Sequence, residues 1–296
     1  MSARQVILIY ARLFRVKQWV KNAFIFSPII FGGLLYVPSN VVKVALVFAV
    51  FCLLSSCVYI INDLCDLESD KRHPLKKQRS LASNAVSKKA AILVVSFLLP
   101  FIFLLGYLVA GKPLIFIMLL YVLLHLLYSF ILKRAVILDA MLIALGFELR
   151  VWAGAVILGI IPSVWLQLCV FLLTLFLGFT KRRHERLLLY DKAAEHREVL
   201  ARYPVYFLDQ MITISATLSV IFYCLYVLSS EIINQSGGYR MLYTVPFVVY
   251  GIFRYLYLVY VKKLGGEPGD VVVLDAAFAF NLFLWVVSIV VVLYFA

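Results

Sequence analysis

The segment Asn62-Asp63-Leu64-Cys65-Asp66-Leu67-Glu68-Ser69-Asp70 places four carboxylates within nine residues, where a long apolar run ends. If the run continues as a helix, Asn62, Asp66 and Asp70 recur at i, i+4 and i+8 and form one stripe. Like-charged neighbours at the lip of an apolar phase are unfavourable without a counter-cation. Hard oxygen donors at this spacing suit Mg²⁺, which keeps several waters and bridges to phosphate oxygens rather than being caged by protein. Lys71, Arg72, Lys76, Lys77 and Arg79 follow at once. Acidic ligands beside clustered cations make a seat for a metal–diphosphate complex. The plain alternative is a solvated acidic loop.

The elements that hold this motif are set by composition. The 296 residues are 65% hydrophobic and 15% charged, with a mean hydropathy of +1.01. Ordinary soluble domains are about 45–50% apolar, so a chain this apolar requires lipid as its solvent. Nine apolar runs can span a bilayer, near 22–38, 41–61, 90–110, 113–132, 136–158, 163–180, 207–229, 241–261 and 275–295. Turn residues separate them, among them Gly111-Lys112-Pro113 and Gly159 to Pro162. The expected fold is all-α: one transmembrane bundle over 1–296, with two long polar loops at 62–89 and 181–206.

The net charge of +13 suggests nucleic acid until the basic residues are located. Five lie in 1–21, seven in 62–89, two at Lys133-Arg134, seven in 181–206 and two at Lys262-Lys263. These segments fall on one side of a nine-helix topology, which predicts a cytoplasmic N-terminus and both long loops in the cytoplasm. An integral protein of a bacterial inner membrane follows, with its acidic motif facing the cytoplasm and no nucleic-acid partner. The N-terminus shows no pattern for leader cleavage.

Within the spans, Glu148 and Arg150 are costly if they face lipid. About 200° apart on a helix, they do not pair with each other. Arg150 therefore needs a substrate phosphate or a carboxylate from another helix. Asp139 and Asp275 begin helices, where a carboxylate also serves as a cap. His125, His184 and His196 share no spacing. Cys52, Cys57, Cys169 and Cys224 read as small buried hydrophobes, and Cys65 lacks a partner ligand.

Asn-Asp-x-x-Asp-x-x-x-Asp, followed by His73-Pro74 and Arg79, resembles the first aspartate-rich motif of the UbiA-type intramembrane prenyltransferases. The resemblance covers essentially the whole chain. It implies two cytoplasmic loops that hold magnesium and a diphosphate above a cavity for an isoprenoid tail. The second loop departs from the pattern of the aromatic prenyltransferases. It reads Lys181-Arg182-Arg183-His184-Glu185-Arg186, with Tyr190-Asp191 and Glu195 beyond, and Asp191 and Glu195 could still ligate a metal. The cationic stretch is either a positive-inside anchor or a direct anion seat, which two phosphorylated substrates would require to offset their repulsion.

Lys17-Gln18-Trp19-Val20-Lys21-Asn22, Tyr128 with Lys133-Arg134, the stretch Gly146 to Ala155 around Arg150, and Lys181, Arg182 and Glu185 resemble one branch of that superfamily, the polyprenyl-phosphate (decaprenyl-phosphate) phosphoribosyltransferases. This implies a Mg²⁺-dependent membrane transferase of lipid-linked sugar biosynthesis. Its substrates would be phosphoribosyl diphosphate (PRPP) and a polyprenyl phosphate. Asn62, Asp66 and Asp70 would hold the metal with Asp63 in support. Lys17, Lys21, Arg72, Lys76, Arg79, Tyr128, Lys133, Arg150, Lys181, Arg182 and Glu185 would contact substrate. The rivals are an aromatic or quinone-pathway prenyltransferase and a transporter or lipid carrier; the latter expects broken or repeated helices around a midplane site. A homo-oligomer is compatible with the sequence and not specified by it.

Overall fold

The structure, a computed structural model, describes residues 3–72, 76–189, 198–266 and 268–295. Among them there is no strand. Helix α1 (Ala3–Leu13) leads through Arg15, in the left-handed region at φ 49°, into 3₁₀ winding over Val16–Phe26 and α2 (Ser27–Phe31). Then come α3 (Pro38–Cys65), α4 (Leu67–Arg72), α5 (Lys88–Phe130), α6 (Leu138–Leu158) and α7 (Val164–Leu189). The remainder is α8 (Glu198–Ala201), α9 (Val205–Val227), α10 (Ser230–Gln235), α11 (Val245–Tyr260), α12 (Pro268–Leu274) and α13 (Ala276–Tyr294).

Seven helices among the described residues are long and apolar enough to cross a membrane. One of them, α5, is two arms. Gly111 breaks it at φ 64°, with Pro113 beyond, and the arms fold back until Gly106 faces Met118. A Cβ on Gly106 would lie 2.5 Å from the Met118 sulfur, so the close approach depends on glycine. The most apolar stretch of α3 is 61% buried and that of α5 only 11%, which makes α3 central and α5 peripheral. Phe97, Leu108 and Phe116 on α5 are accordingly exposed, as lipid-facing residues are.

The expected span at 22–38 is not a continuous helix. Polar tertiary bonds hold the chain there instead. Trp19 donates to Ser56 Oγ at 3.0 Å, and Asn22 donates to Ser55 Oγ at 3.2 Å. Gly154 of α6 admits the Ile25 carbonyl, which would stand 2.0 Å from any Cβ at that position. The core around α3 and α5 includes Phe51, Leu54, Met118 and Tyr121; a second cluster joins α7, α9 and α11 through Phe176, Ile212 and Tyr255.

Side-chain contacts bring the basic segments to one end of the bundle. Ser129 reaches Asn62, Lys133 reaches Asp66, Arg182 reaches Asp139, and His184 packs on Gly265 and Gly266. The other end is closed by Tyr294, whose hydroxyl donates to the Ile29 and Ile30 carbonyls.

Candidate active site

The acidic stripe survives the junction between α3 and α4. Asp66 N–H donates to the Asn62 carbonyl at 2.9 Å and Asp70 N–H to the Asp66 carbonyl at 2.8 Å, so the helical register runs on through Asp66. Asn62 Nδ2 donates to Asp66 Oδ2 at 3.0 Å, and Ser129 Oγ donates to Asn62 Oδ1 at 2.9 Å. That fixes which face of the amide looks where. Lys133 Nζ donates to Asp66 Oδ1 at 2.5 Å, and Arg79 donates to Asp70 Oδ2 at 2.6 Å.

Asp63, expected to support the cation, is turned off the stripe. One residue after Asn62 is about 100° around the helix. Its carboxylate accepts from Arg79 at 3.0 Å and from Arg15, and it does not line the cavity described below. Arg15 also lies 5.0 Å from the Tyr59 ring centroid. Arg79 thus ties the buried Asp63 and Asp70 together. Burial holds the Asp70 carboxyl above its ordinary pKa, outweighing the attraction of Arg79, and the neighbouring Asp63 adds to the rise.

The donor set fits a hard cation. Asp66 and Asp70 offer carboxylate oxygens, the Asn62 amide oxygen keeps one lone pair beyond its bond from Ser129, and Lys133 already stands as a cation against Asp66. Among the described residues no three His, Cys, Asp or Glu side chains gather closely enough to cage a metal. Mg²⁺ does not ask for a cage when phosphate oxygens and water complete its shell.

A cavity of about 1990 Å³ opens beside this stripe. Lys17 and Lys21 of the 3₁₀ segment, Arg72, Lys76 and Arg79 after the acidic motif, and Lys133 with Lys181 line its basic end. Every residue expected to contact substrate lines this cavity, including Tyr128, Arg150, Arg182 and Glu185. From Lys181 to Leu166 along α7 the cavity runs about 22 Å, by the rise of a helix. Its far walls are apolar and aromatic: Phe147, Leu166, Tyr223, Tyr226 and Trp285.

Arg182, expected to hold phosphate oxygens, is instead locked within the protein. Its Nε donates to Asp139 Oδ2 at 2.5 Å, and its terminal nitrogens reach Glu185 at 3.0 Å and the Tyr128 hydroxyl at 3.3 Å. Tyr203 O–H donates to Asp139 Oδ1 at 2.6 Å. Asp139 is therefore a buried partner rather than a plain cap, and Arg182 orients Tyr128 and Glu185. Glu185 faces Lys76 at 3.7 Å, which joins the second loop to the first across the cavity.

Arg150 does not meet the carboxylate from another helix that was one of its two expected partners. Asn22, the Gly146 carbonyl and the Tyr121 hydroxyl accept from it, and among the described residues no carboxylate pairs with it. His73-Pro74 and the possible second-loop ligands Asp191 and Glu195, with Tyr190, lie outside the described residues. Sequence reasoning missed Arg15, Ser129, Tyr203 and Asn22. Arg15 stood in a visible basic cluster, but Ser129 is one hydroxyl in an apolar run and carries no signal of its partner.

The chain matches the UbiA prenyltransferase family over residues 25–266. It is 31% identical over 284 residues to the decaprenyl-phosphate phosphoribosyltransferase of Corynebacterium glutamicum, covering 95% of this chain and 85% of that one. To the protein of the same name from Mycobacterium tuberculosis strain H37Rv it is 30% identical over 279 residues, covering 93% and 91%. In fold it is similar to a UbiA homolog from Archaeoglobus fulgidus bound to geranyl diphosphate (GPP) and Mg²⁺. The TM-score is 0.68 at 17% identity, over 96% of this chain and 99% of that one.

Proposed function

We propose that this chain, which belongs to the UbiA prenyltransferase family, transfers 5-phosphoribosyl from PRPP to a polyprenyl phosphate. It is an integral membrane protein and a transferase. The observation that carries the choice of substrates is the excess of positive charge at the basic end of the cavity, which only four carboxylates among the described residues, Asp66, Glu68, Asp70 and Glu185, also line. Lys17, Lys21, Arg72, Lys76, Lys133 and Lys181 supply more positive charge than one metal-bound diphosphate needs. Two phosphorylated substrates that must approach each other do need it. The full-length similarity to named phosphoribosyltransferases supports the same reading.

Asn62, Asp66 and Asp70 would hold Mg²⁺, which when bound offsets charge on a departing diphosphate. The rest falls to the chain. Lys76 and Arg72 hold diphosphate oxygens, and Lys17, Lys21 and Lys181 neutralise the acceptor phosphate so that it can close on C1. The C1–O bond to diphosphate breaks with its electron pair leaving on diphosphate. A lipid phosphate oxygen forms the new bond to C1. The acceptor is already anionic at neutral pH, so no general base is required. The apolar cavity wall and the lipid-facing surface take the polyprenyl tail. By the distribution of basic residues, the active end faces the cytoplasm of a bacterial inner membrane.

Purified protein incubated with labelled PRPP, polyprenyl phosphate and Mg²⁺ tests this. A labelled lipid and free diphosphate are expected. No labelled lipid, together with transfer from a prenyl diphosphate to an aromatic acceptor, would overturn it.

A further inference from the structure

Arg150 presents an unfinished set of hydrogen bonds. A guanidinium has five N–H donors. Three are used: Nε–H to Asn22 Oδ1 at 2.8 Å, one on NH1 to the Gly146 carbonyl at 2.6 Å, and one on NH2 to the Tyr121 hydroxyl at 2.7 Å. One N–H remains on each terminal nitrogen, a capacity that an anion can take up. Asn22 and Tyr121 are fully buried, and Arg150, itself only 3% exposed, lines the cavity. His125 beside it points its Nδ1 at the Tyr121 carbonyl, 2.9 Å away, and that carbonyl can only accept. The Nδ1 proton is thus committed, which leaves the guanidinium as the donor.

Two independent rulers give the depth of this group. On α5, Tyr121 touches Arg150 and Ser129 touches Asn62, eight residues apart or about 12 Å. On α3, Ser55 touches Asn22 and Asn62 lies seven residues on, about 10 Å. Arg150 therefore sits deeper than the acidic stripe by roughly 10 Å, too far to share one diphosphate with it. A ring bearing a phosphate on one side and a diphosphate on the other spans a distance of that order.

We infer that Arg150 is a second anion seat, which takes the 5-phosphate of the phosphoribosyl donor and selects that donor over a prenyl diphosphate. The inference rests on the phosphoribosyl reading and deepens it. A buried cation among the described residues with no carboxylate partner is costly at this depth, and a phosphate monoester offsets that cost. A prenyl chain in the same place would leave the charge unmatched against apolar surface, so the residue rejects one donor class as it admits the other. Phe147 and Tyr121, with ring centroids 5.0 and 4.9 Å from the guanidinium, keep it in place between visits. A Cβ on Gly146 would lie 3.1 Å from His125, so the tight packing of α6 on α5 beside Arg150 is eased by glycine.

The test is steady-state kinetics on Arg150→Gln and Arg150→Lys. In Arg150→Gln, KM for PRPP should rise about 10–100-fold, the worth of charged hydrogen bonds, while KM for polyprenyl phosphate and the Mg²⁺ requirement stay within about 3-fold. Arg150→Lys should recover part of the loss. Ribose 5-phosphate should compete with the donor in the wild type and not in Arg150→Gln, and ribose should compete in neither. A rise in the lipid KM instead would assign the seat to the acceptor phosphate. A fall in kcat with unchanged donor KM and intact inhibition would leave Arg150 a structural brace; either result overturns the inference. Should the variants fail to fold, ribose 5-phosphate binding to wild-type protein in EDTA decides, since the seat needs no metal and absence of binding defeats it. A wild type that never turns over PRPP would remove the proposed function, while this metal-free binding would still judge the seat.

Discussion

Two carboxylate–cation clusters stand at the basic end of the bundle, and they differ in whether water can reach them. In the first, Lys133 and Asp66 keep 19% and 25% of their side-chain surface exposed. In the second, Arg182 and Asp139 keep 2% and 0%. A sealed pair cannot exchange its partner for a ligand, and removing either member strands a charge in a low dielectric. An open pair can release its cation to a metal or a phosphate at small cost. Residue type alone does not distinguish the two, since both read as basic residues near acidic ones. Exposure does so for these two pairs: the open one can take up a ligand, and the sealed one braces the cavity wall.

The largest effect that could break this comparison is on turnover. Asp66→Ala should lower transfer from PRPP by about 10³-fold, as loss of a principal charge-stabilising group does, with the thermal midpoint in detergent almost unmoved. Turnover near that of the wild type would end the metal assignment. Arg182→Met should behave in the opposite way. It should cost about 3–5 kcal/mol of stability, seen as a lost thermal midpoint or folded yield, because the Asp139 charge is then buried with no cation and only Tyr203 still donates to it. Replacing both, Arg182→Met with Asp139→Leu, should recover much of that loss. A stable Arg182→Met with impaired donor binding would make Arg182 a ligand after all.

Most of the fold was legible for a plain reason: lipid demands long apolar runs, and breaks between them need turn residues. Pro38, Gly111-Lys112-Pro113 and Gly159 all mark real boundaries. The run at 22–38 was equally apolar and misled, because Asn22, Trp19 and Gly154 bind it to α3 and α6 in a form hydropathy does not register. The site was legible where spacing sets geometry, as in the i, i+4, i+8 stripe. It was not legible where direction depends on a distant partner. Asp63 turns to Arg15, 48 residues away, and Arg182 to Asp139, 43 residues away. The residues expected to contact substrate do line one cavity, but which of them are paired depends on partners far along the chain.

A smaller effect sharpens the open cluster. Ser129 does not touch the carboxylates, but its hydroxyl donates to Asn62 Oδ1, the amide oxygen assigned to the metal, and so sets its direction. Ser129→Ala should raise the Mg²⁺ concentration for half-maximal activity by about 10-fold, the usual penalty for losing support behind a ligand. The lipid KM should stay constant, and an unchanged Mg²⁺ requirement would detach Asn62 from the metal.

The smallest effect concerns the contact that joins the clusters, Lys76 with Glu185 at 3.7 Å. Lys76 keeps 29% of its side chain exposed, so solvent screens the pair. Lys76→Met should change stability by less than about 1 kcal/mol. Its cost should fall on the donor, as a several-fold higher KM for PRPP that shrinks as salt rises, because a rim charge steers and holds an anion through a screened field. If Lys76→Met destabilised the protein as Arg182→Met is expected to, the bridge would belong with the sealed cluster, and the line between open and closed pairs would have to be moved outward to the first loop.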